Sequence, residues 1–233
     1  MKNSSDLVKL SIFSDSTRIN EAIQIVSVSV TNAINKIPYA RIEMLDGDMP
    51  NKDFPISSGD DFKPGKEIKI NAGYGDSEDT IFQGIVVKHS IKITGDNNSL
   101  LVIECRDKAV AMTIGRHNAN YVDKKDSEII SSLVSNYNGL SSDVDVTTTQ
   151  YKQLVQYYCS DWDFMLSRAE VNGLLICVED AKLSVKAPQV SGSAELKLTS
   201  GEDVIELHAD IDARTQFADV NAASWAPRDH AVV

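Results

Sequence analysis

The stretch Leu154 to Gly173, LVQYYCSDWDFMLSRAEVNG, changes its period in the middle. Leu154 to Tyr157 reads as a strand that feeds a helix. Ser160 is a natural N-cap, because its hydroxyl can accept a bond from an N–H of the first turn. Asp161 and Asp163 then sit in that turn, where the helix dipole favours anions. Trp162, Met165, Leu166 and Ala169 recur at helical spacing and are expected to face a core, and Asn172-Gly173 ends the helix. Tyr157 and Tyr158, with Trp162, lie between strand and cap, and are expected to pack rather than to form a carbohydrate platform.

Upstream, Asp126 to about Asn138 reads as a second helix. Ile129, Ile130, Leu133, Val134 and Tyr137 share one face, and Asn138-Gly139 is a stop signal. Arg106 to Ile114, closed by Gly115, marks where the texture of the chain first changes. Downstream, Leu174 to Glu179 returns through Asp180-Ala181 to Lys182–Lys186, a β-hairpin that ends before Pro188.

The first 105 residues are different in kind. Five runs alternate or are continuously apolar in the manner of strands: Val8 to Ile12, Val26 to Val30, Ile42 to Met44, Ile68 to Tyr74 and Leu100 to Cys105. Turn formers separate them, including Asp46-Gly47-Asp48, Lys63-Pro64-Gly65, Gly73-Tyr74-Gly75-Asp76 and Thr94-Gly95-Asp96-Asn97-Asn98. Short strands at this spacing predict a closed or nearly closed barrel, since closure removes exposed edges. After a Ser/Gly-rich join, Leu196 with Leu198, Val204 to Ala213 and Ala218 to Trp225 read as opening strands of another β-domain. The expected fold is therefore mainly β with some α (α+β). It divides into a β-barrel at 1–105, a helix-containing middle at 106–190 and the start of a second β-barrel at 191–233, apparently truncated.

The chain has 233 residues, 42% of them hydrophobic, and its 23 basic against 34 acidic residues give a net charge of −11. With no Lys/Arg-rich block, neither a phosphate-tracking groove nor a nucleic acid partner is expected. Asp6 and Lys9 interrupt any signal-peptide core, and no apolar run reaches the roughly 18 residues of a membrane-spanning segment. Cys105, Cys159 and Cys177 form no CxxC pair, so reduced, mostly buried thiols are expected rather than disulfides or a thiolate metal site. His89, His117, His208 and His230 fit no HExxH or HxH spacing, and GxSxG, Walker and GxGxxG signatures are missing. Asp46/Asp48, Asp60/Asp61 and Asp76/Glu78/Asp79 lack the ladder of a calcium loop and read as solvated turn carboxylates. No catalytic residue, metal or cofactor is expected.

With its capped helix, the Leu154–Gly173 stretch resembles the VgrG family, the spike and hub proteins of type VI secretion, related contractile injection systems and phage baseplates. The matching residues are Gln156, Tyr157, Ser160, Asp161, Phe164, Arg168, Glu170 and Gly173. Phe62-Lys63-Pro64-Gly65 with Ile68 and Ile70, Gly73-Tyr74, Phe82-Gln83-Gly84-Ile85-Val86 and Asp212-Ala213-Arg214-Thr215-Gln216 extend the likeness over nearly the whole chain, closest to Bacteroidetes-type spikes. Where the family commonly has an acidic residue before Ser-Asp, this chain has Cys159.

The resemblance implies the N-terminal hub region of a longer spike: a structural, non-enzymatic homotrimer whose six similar barrels match a six-fold, Hcp-like hexameric inner tube. Baseplate proteins, and a spike-tip protein or effector held through a C-terminal continuation, are the other implied partners. The implied location is the cytoplasm of the producing bacterium during assembly, then the injection particle, with outward delivery on contraction. Interface regions are expected at Asp46 to Pro50, Asn51 to Asp61, Gly75 to Asp79 and strand edges. A cell-wall-acting hydrolase and a carbohydrate-binding β-domain are the alternatives.

Overall fold

The computed structural model describes residues 8–232 apart from Met49, Asp76, Thr94, Asp96, Asn97, Asn98, Glu195, Glu202, Asp203, Ile205, Thr215 and Gln216. The parts of the expected turns and of the Asp212–Gln216 stretch that use these positions lie outside the described residues. The chain divides into two compact units, Met1–Gln189 and Val190–Val233.

In the first unit, β1 (Val8–Ser14), β2 (Thr17–Arg18), β3 (Ile25–Thr31), β4 (Tyr39–Leu45), β5 (Glu67–Tyr74), β6 (Asp79–Ile93) and β7 (Ser99–Arg106) form one antiparallel sheet. Its order is β2-β1-β5-β6-β7-β4-β3. The alternation read from sequence decides which side chains point inward. Ile12, Ile42, Met44, Ile68, Ile70, Phe82, Val86, Leu101, Ile103 and Cys105 meet in one buried cluster. Val28 and Val30 of β3 pack on the same cluster as Ile12 of β1. Strands from near both ends of the sheet thus line one core, so the sheet curls into a barrel, although among the described residues no ladder joins β2 to β3. Phe62, from the loop between β4 and β5, is buried in that core too.

The chain then passes through a 3-10 turn (Lys108–Thr113) into β8 (His117–Lys125), α1 (Asp126–Ser135), β9 (Ser141–Val144), β10 (Gln150–Cys159), α2 (Asp161–Val171), β11 (Leu175–Glu179) and β12 (Lys182–Lys186). β8 and β10 make an antiparallel ribbon; β11 and β12 make the expected hairpin, with β9 added parallel to β12. Asp180 and Ala181, both at positive φ, form the two-residue turn such hairpins favour. Ile129, Ile130, Leu133 and Val134 of α1 meet Trp162, Met165 and Ala169 of α2 in a second core that Ile176, Leu183 and Val185 floor. α1 stops at Ser135, short of the expected Asn138, with Asn136 as its cap.

The second unit departs from expectation. Its strands are β13 (Trp225–Ala226) and β14 (Ala231–Val232), paired with each other, plus an isolated bridge between Ser200 and Val204. Among the described residues of Leu196–Leu198, Val204–Ala213 and Ala218–Trp225, where strands are expected, only Trp225 is in a strand and Val204 in the isolated bridge. Strand geometry persists when a neighbour takes up its N–H and C=O groups, and apart from Val204 and Trp225 the described residues of these stretches have no such neighbour among those described. Leu196, Leu198, Leu207, Ile211 and Val220 stay in solvent, with Ile211 96% exposed.

Candidate functional site

The strand-to-helix unit at 154–173 is where the structure concentrates buried polar groups, and its geometry is fixed by a break in β10. The register with β8 shifts between Gln156 and Cys159, and Tyr158 takes φ +44°, held by its N–H donating to Asn118 Oδ1 at 2.8 Å. The bulge turns both tyrosines outward. Tyr157 is 81% and Tyr158 68% exposed, so the expectation that they pack is corrected; Trp162 alone of the three is buried.

Beyond the bulge, Ser160 caps α2 as read from sequence: its Oγ accepts from Asp163 N–H at 3.1 Å and donates to Asp163 Oδ2 at 2.6 Å. Asp161, one residue on, is buried and accepts twice. Gln156 Nε2 donates to Asp161 Oδ1 at 2.7 Å, and Tyr137 OH donates to Asp161 Oδ2 at 2.8 Å. Tyr121 OH closes the chain by donating to Gln156 Oε1 at 3.1 Å, while its ring stacks on Phe164 with centroids 5.8 Å apart. Burial, reinforced by the Asp161 carboxylate, pushes the Tyr137 hydroxyl up to about 12. The Tyr121 hydroxyl is pushed up for the same two reasons.

On the next turns of α2, Arg168 makes a fork with Asp126, the first residue of α1. Arg168 Nε donates to Oδ1 at 2.6 Å and an Nη to Oδ2 at 3.0 Å. The Asp126 side chain is 0% and that of Arg168 13% exposed. Asn172 Nδ2 adds a bond to Asp126 Oδ2 at 2.8 Å; the Tyr151 hydroxyl accepts from Arg168 at 2.8 Å, and its ring lies 5.0 Å under the guanidinium. Burial works to raise the Asp126 carboxyl, yet the Arg168 fork, the Asn172 amide and the guanidinium charge outweigh it and hold it below the ordinary aspartate range. The same pairing with Asp126 raises Arg168.

Six of the eight motif positions therefore fall into this cross-braced unit. Gln156, Ser160, Asp161, Phe164 and Arg168 are in its contacts, and Gly173, at φ +66°, ends α2 by donating its N–H to Glu170 O. Tyr157 and the Glu170 side chain are exposed outside it. Cys159 is half-buried against the second core, and Arg168 finds its carboxylate in Asp126 instead. The partners Asp126, Tyr121, Tyr137, Tyr151 and Asn172 were not legible as such. Asp126 is the first residue of α1, and Glu128, whose Oε2 accepts the Lys125 N–H at 2.9 Å, was the available signal of a helix start there.

A second anchored carboxylate corrects the sequence reading. Asp46 is not a solvated turn residue: it is 7% exposed and accepts N–H groups of Gly47, Ile56 and Ser57 at 2.9, 3.1 and 2.7 Å. The loop nominated as interface is thus tied back onto the barrel. Of the cysteines, Cys105 is buried, whereas Cys159 is intermediate and Cys177 exposed, against the expectation of mostly buried thiols. Burial raises the Cys105 thiol to about 12. Among the described residues, no three His, Cys, Asp or Glu side chains come together as a metal would need. No helix there is long and apolar enough to cross a membrane.

The sequence family described as the Alg8 N-terminal domain matches residues 4–233. The chain belongs to this family. No curated protein sequence matches it. Among solved structures, the 43 kDa tail protein of prophage MuSo2 from Shewanella oneidensis matches 91% of this chain and 62% of its own length, at 11% identity and a TM-score of 0.67. The E. coli c3393 protein, described as a type VI secretion component similar to the phage T4 tail proteins gp27 and gp5, matches over 74% of this chain and 48% of its own. There the identity is 9% and the TM-score 0.55. A chain of the Francisella PdpA-VgrG complex matches over 81% of this chain and 33% of its own, at 16% identity and TM-score 0.52. The fold of this Alg8 N-terminal domain member is thus the VgrG-like hub fold of phage tail and type VI proteins, and the chain spans less than two thirds of each of those relatives.

Proposed function

We propose that the chain is the structural hub of a contractile injection spike, acting without catalysis. What supports this most is the continuity of the fold with a phage tail protein over 91% of the chain at TM-score 0.67. In this reading three copies form a ring, with 1–105 contributing one barrel, 106–190 the helix-containing middle and 191–233 the opening segment of a second, related barrel. The ring adapts a three-fold spike to a six-fold Hcp-like tube, contacts baseplate proteins, and carries a tip protein or effector through sequence beyond this chain. The particle assembles in the bacterial cytoplasm and is delivered outward on contraction. The eight motif residues are structural: axial load passes through packed helices, and buried forks such as Asp126–Arg168 resist shear because separating them strands a charge.

Cryo-electron microscopy of particles captured through a tag on this chain tests the reading. Three copies at the spike end of a six-fold tube is the expected result; the chain alone, without three-fold order, overturns it. One observation favours a second reading: Tyr157 and Tyr158 are adjacent exposed rings, the kind of platform on which sugars stack. Glycan-array binding that disappears on Tyr157→Ala would select it.

A further inference from the structure

A cleft of about 380 Å³ is lined by the turn from β3 to β4, by Arg106 of β7 and by Trp162 of α2. Ile37, Tyr39 and Trp162 give it apolar walls, and no Asp or Glu lines it. What it offers instead is donors. Asn35 Oδ1 is already taken by the Ile176 N–H at 2.8 Å, which leaves the Asn35 amide its Nδ2 hydrogens. Trp162 is 7% exposed, its indole N–H can only donate, and no acceptor meets it among the described residues.

The charges in the cleft are unanswered as well. Arg18, Arg41, Arg116, Arg168 and Arg214 each meet a carboxylate. Arg106 does not: its guanidinium lies over the ring of Tyr39, 4.6 Å from the centroid, and Tyr39 is its neighbour across the β4–β7 ladder. Stacking uses the face of the guanidinium and leaves its in-plane N–H fork, the group that matches a carboxylate, open. Lys36, exposed in the turn, has no carboxylate among the described residues either. In a chain with 34 acidic against 23 basic residues, two such cations in one cleft mark a place for a carboxylate that the chain itself does not supply. The place is preorganised, because Asn35 is pinned to Ile176 by two bonds and Arg106 is held by Tyr39, so little ordering is lost on binding.

We propose that this cleft docks an aspartate or glutamate side chain of a partner protein, with the carboxylate on the Arg106 fork and Lys36 and the flanking apolar side chains of the partner segment against Ile37 and Trp162. A free small carboxylate leaves those apolar walls in water, whereas a side chain on an apolar segment covers them. The inference uses only the first unit and does not depend on the hub reading.

The chain has two tryptophans, so Trp225→Phe leaves Trp162 as the single indole reporter. In that background acetyl-Leu-Asp-Leu-amide is expected to change the Trp162 emission saturably. Acetyl-Leu-Asn-Leu-amide, of the same shape without the charge, is expected to bind at least tenfold more weakly. Arg106→Gln is expected to weaken the aspartate peptide at least tenfold and Lys36→Gln several-fold. Because Lys36 is exposed in a turn, Lys36→Gln is expected to keep the fold whatever Arg106→Gln does, and circular dichroism checks both. No saturable change with the aspartate peptide, equal affinity for its asparagine counterpart, or an affinity unmoved by Lys36→Gln or by a folded Arg106→Gln overturns the proposal. Acetate that binds as tightly as the peptide also overturns it, since the site then takes a free carboxylate.

Discussion

Asn35 and Ile176 exchange two hydrogen bonds across 141 positions of sequence: Asn35 N–H donates to Ile176 O at 2.8 Å, and Ile176 N–H donates to Asn35 Oδ1 at 2.8 Å. A single residue in the turn between β3 and β4 thereby completes the open edge of β11, and joins the barrel to the layer under α2. Asn35 does so at φ +60°, a conformation that Asn tolerates better than most residues.

Replacing Asn35 separates these contributions. Asn35→Ala leaves the Ile176 N–H without its acceptor and replaces asparagine at positive φ by a residue that tolerates it less, for an expected loss of about 2–3 kcal/mol. Asn35→Gly relieves the φ penalty and is expected to lose about 1 kcal/mol. Urea unfolding midpoints of the two variants check the order.

The Asp126–Arg168 fork makes stability fall in acid. The Asp126 carboxyl is held below its ordinary 3.8 in the folded chain, so between that value and the folded one the unfolded state binds more protons. The stabilisation is full above the ordinary value and is lost as pH falls through the folded value. Asp126→Asn is expected to flatten this acid limb while lowering stability at neutral pH. Arg168→Ala, which strands the buried carboxylate, is expected to cost about 3 kcal/mol or more. Unfolding curves from pH 7 to pH 2 distinguish the three proteins.

How much of this was legible follows from the range of each interaction. The Ser160 cap, the α2 face and the β11–β12 hairpin are local, and their residues announce them within one or two turns of chain. β6 escaped the alternation reading because its register shifts between Val86 and Lys88, so Ile85, Val86 and Val87 break the period. Tyr158 looked like a packing residue because nothing local marks a bulge at positive φ. The buried acceptor role of Asp46 depends on Ile56 and Ser57 returning to it, and the Asp126 fork on a residue 42 positions away. The alternation after Leu196 was read correctly as a pattern, but a pattern becomes a strand only when another backbone lies alongside.

Asp46 anchors the loop that follows β4. Asp46→Ala removes one acceptor from three N–H groups at once, and Asp46→Asn keeps one oxygen but loses the charge that strengthens all three bonds. The expected cost is about 2–3 kcal/mol for alanine and about half that for asparagine. Limited proteolysis should show new cleavage between Asn51 and Asp61 in the alanine variant before any cut in the barrel; an unchanged digestion pattern would mean that the other anchors, Phe62 and Ile56 in the core and the Ser14 Oγ bond to Asp61 O, suffice to hold the loop.

Gly84 is needed for its missing side chain. A Cβ there would overlap the carbonyl oxygen of Arg106 and crowd the Phe82 ring, and Arg106 O belongs to the neighbouring strand, which cannot yield without opening the β6–β7 ladder. Gly84→Ala is expected to cost about 3 kcal/mol, seen as a lowered thermal midpoint, although alanine would ordinarily be neutral or better in the middle of a strand.

Tyr137 gives the alkaline counterpart to Asp126. Its hydroxyl is raised from 10.0 to about 12 because burial and the Asp161 carboxylate both oppose the phenolate. The stabilisation is therefore fully present below the unfolded value of 10.0 and is lost as pH rises through about 12. An absorbance titration should show the Tyr137 ionisation in a late step that coincides with unfolding, beside the also raised Tyr121. Tyr137→Phe is expected to remove that late step and, by leaving Asp161 Oδ2 without its donor, to cost about 1–2 kcal/mol at neutral pH. Because Gln156 still holds the other oxygen at 2.7 Å, Tyr137→Phe with Gln156→Leu should cost more than the sum of the two single changes, and a double-mutant cycle that comes out additive would show that the two bonds to Asp161 act independently.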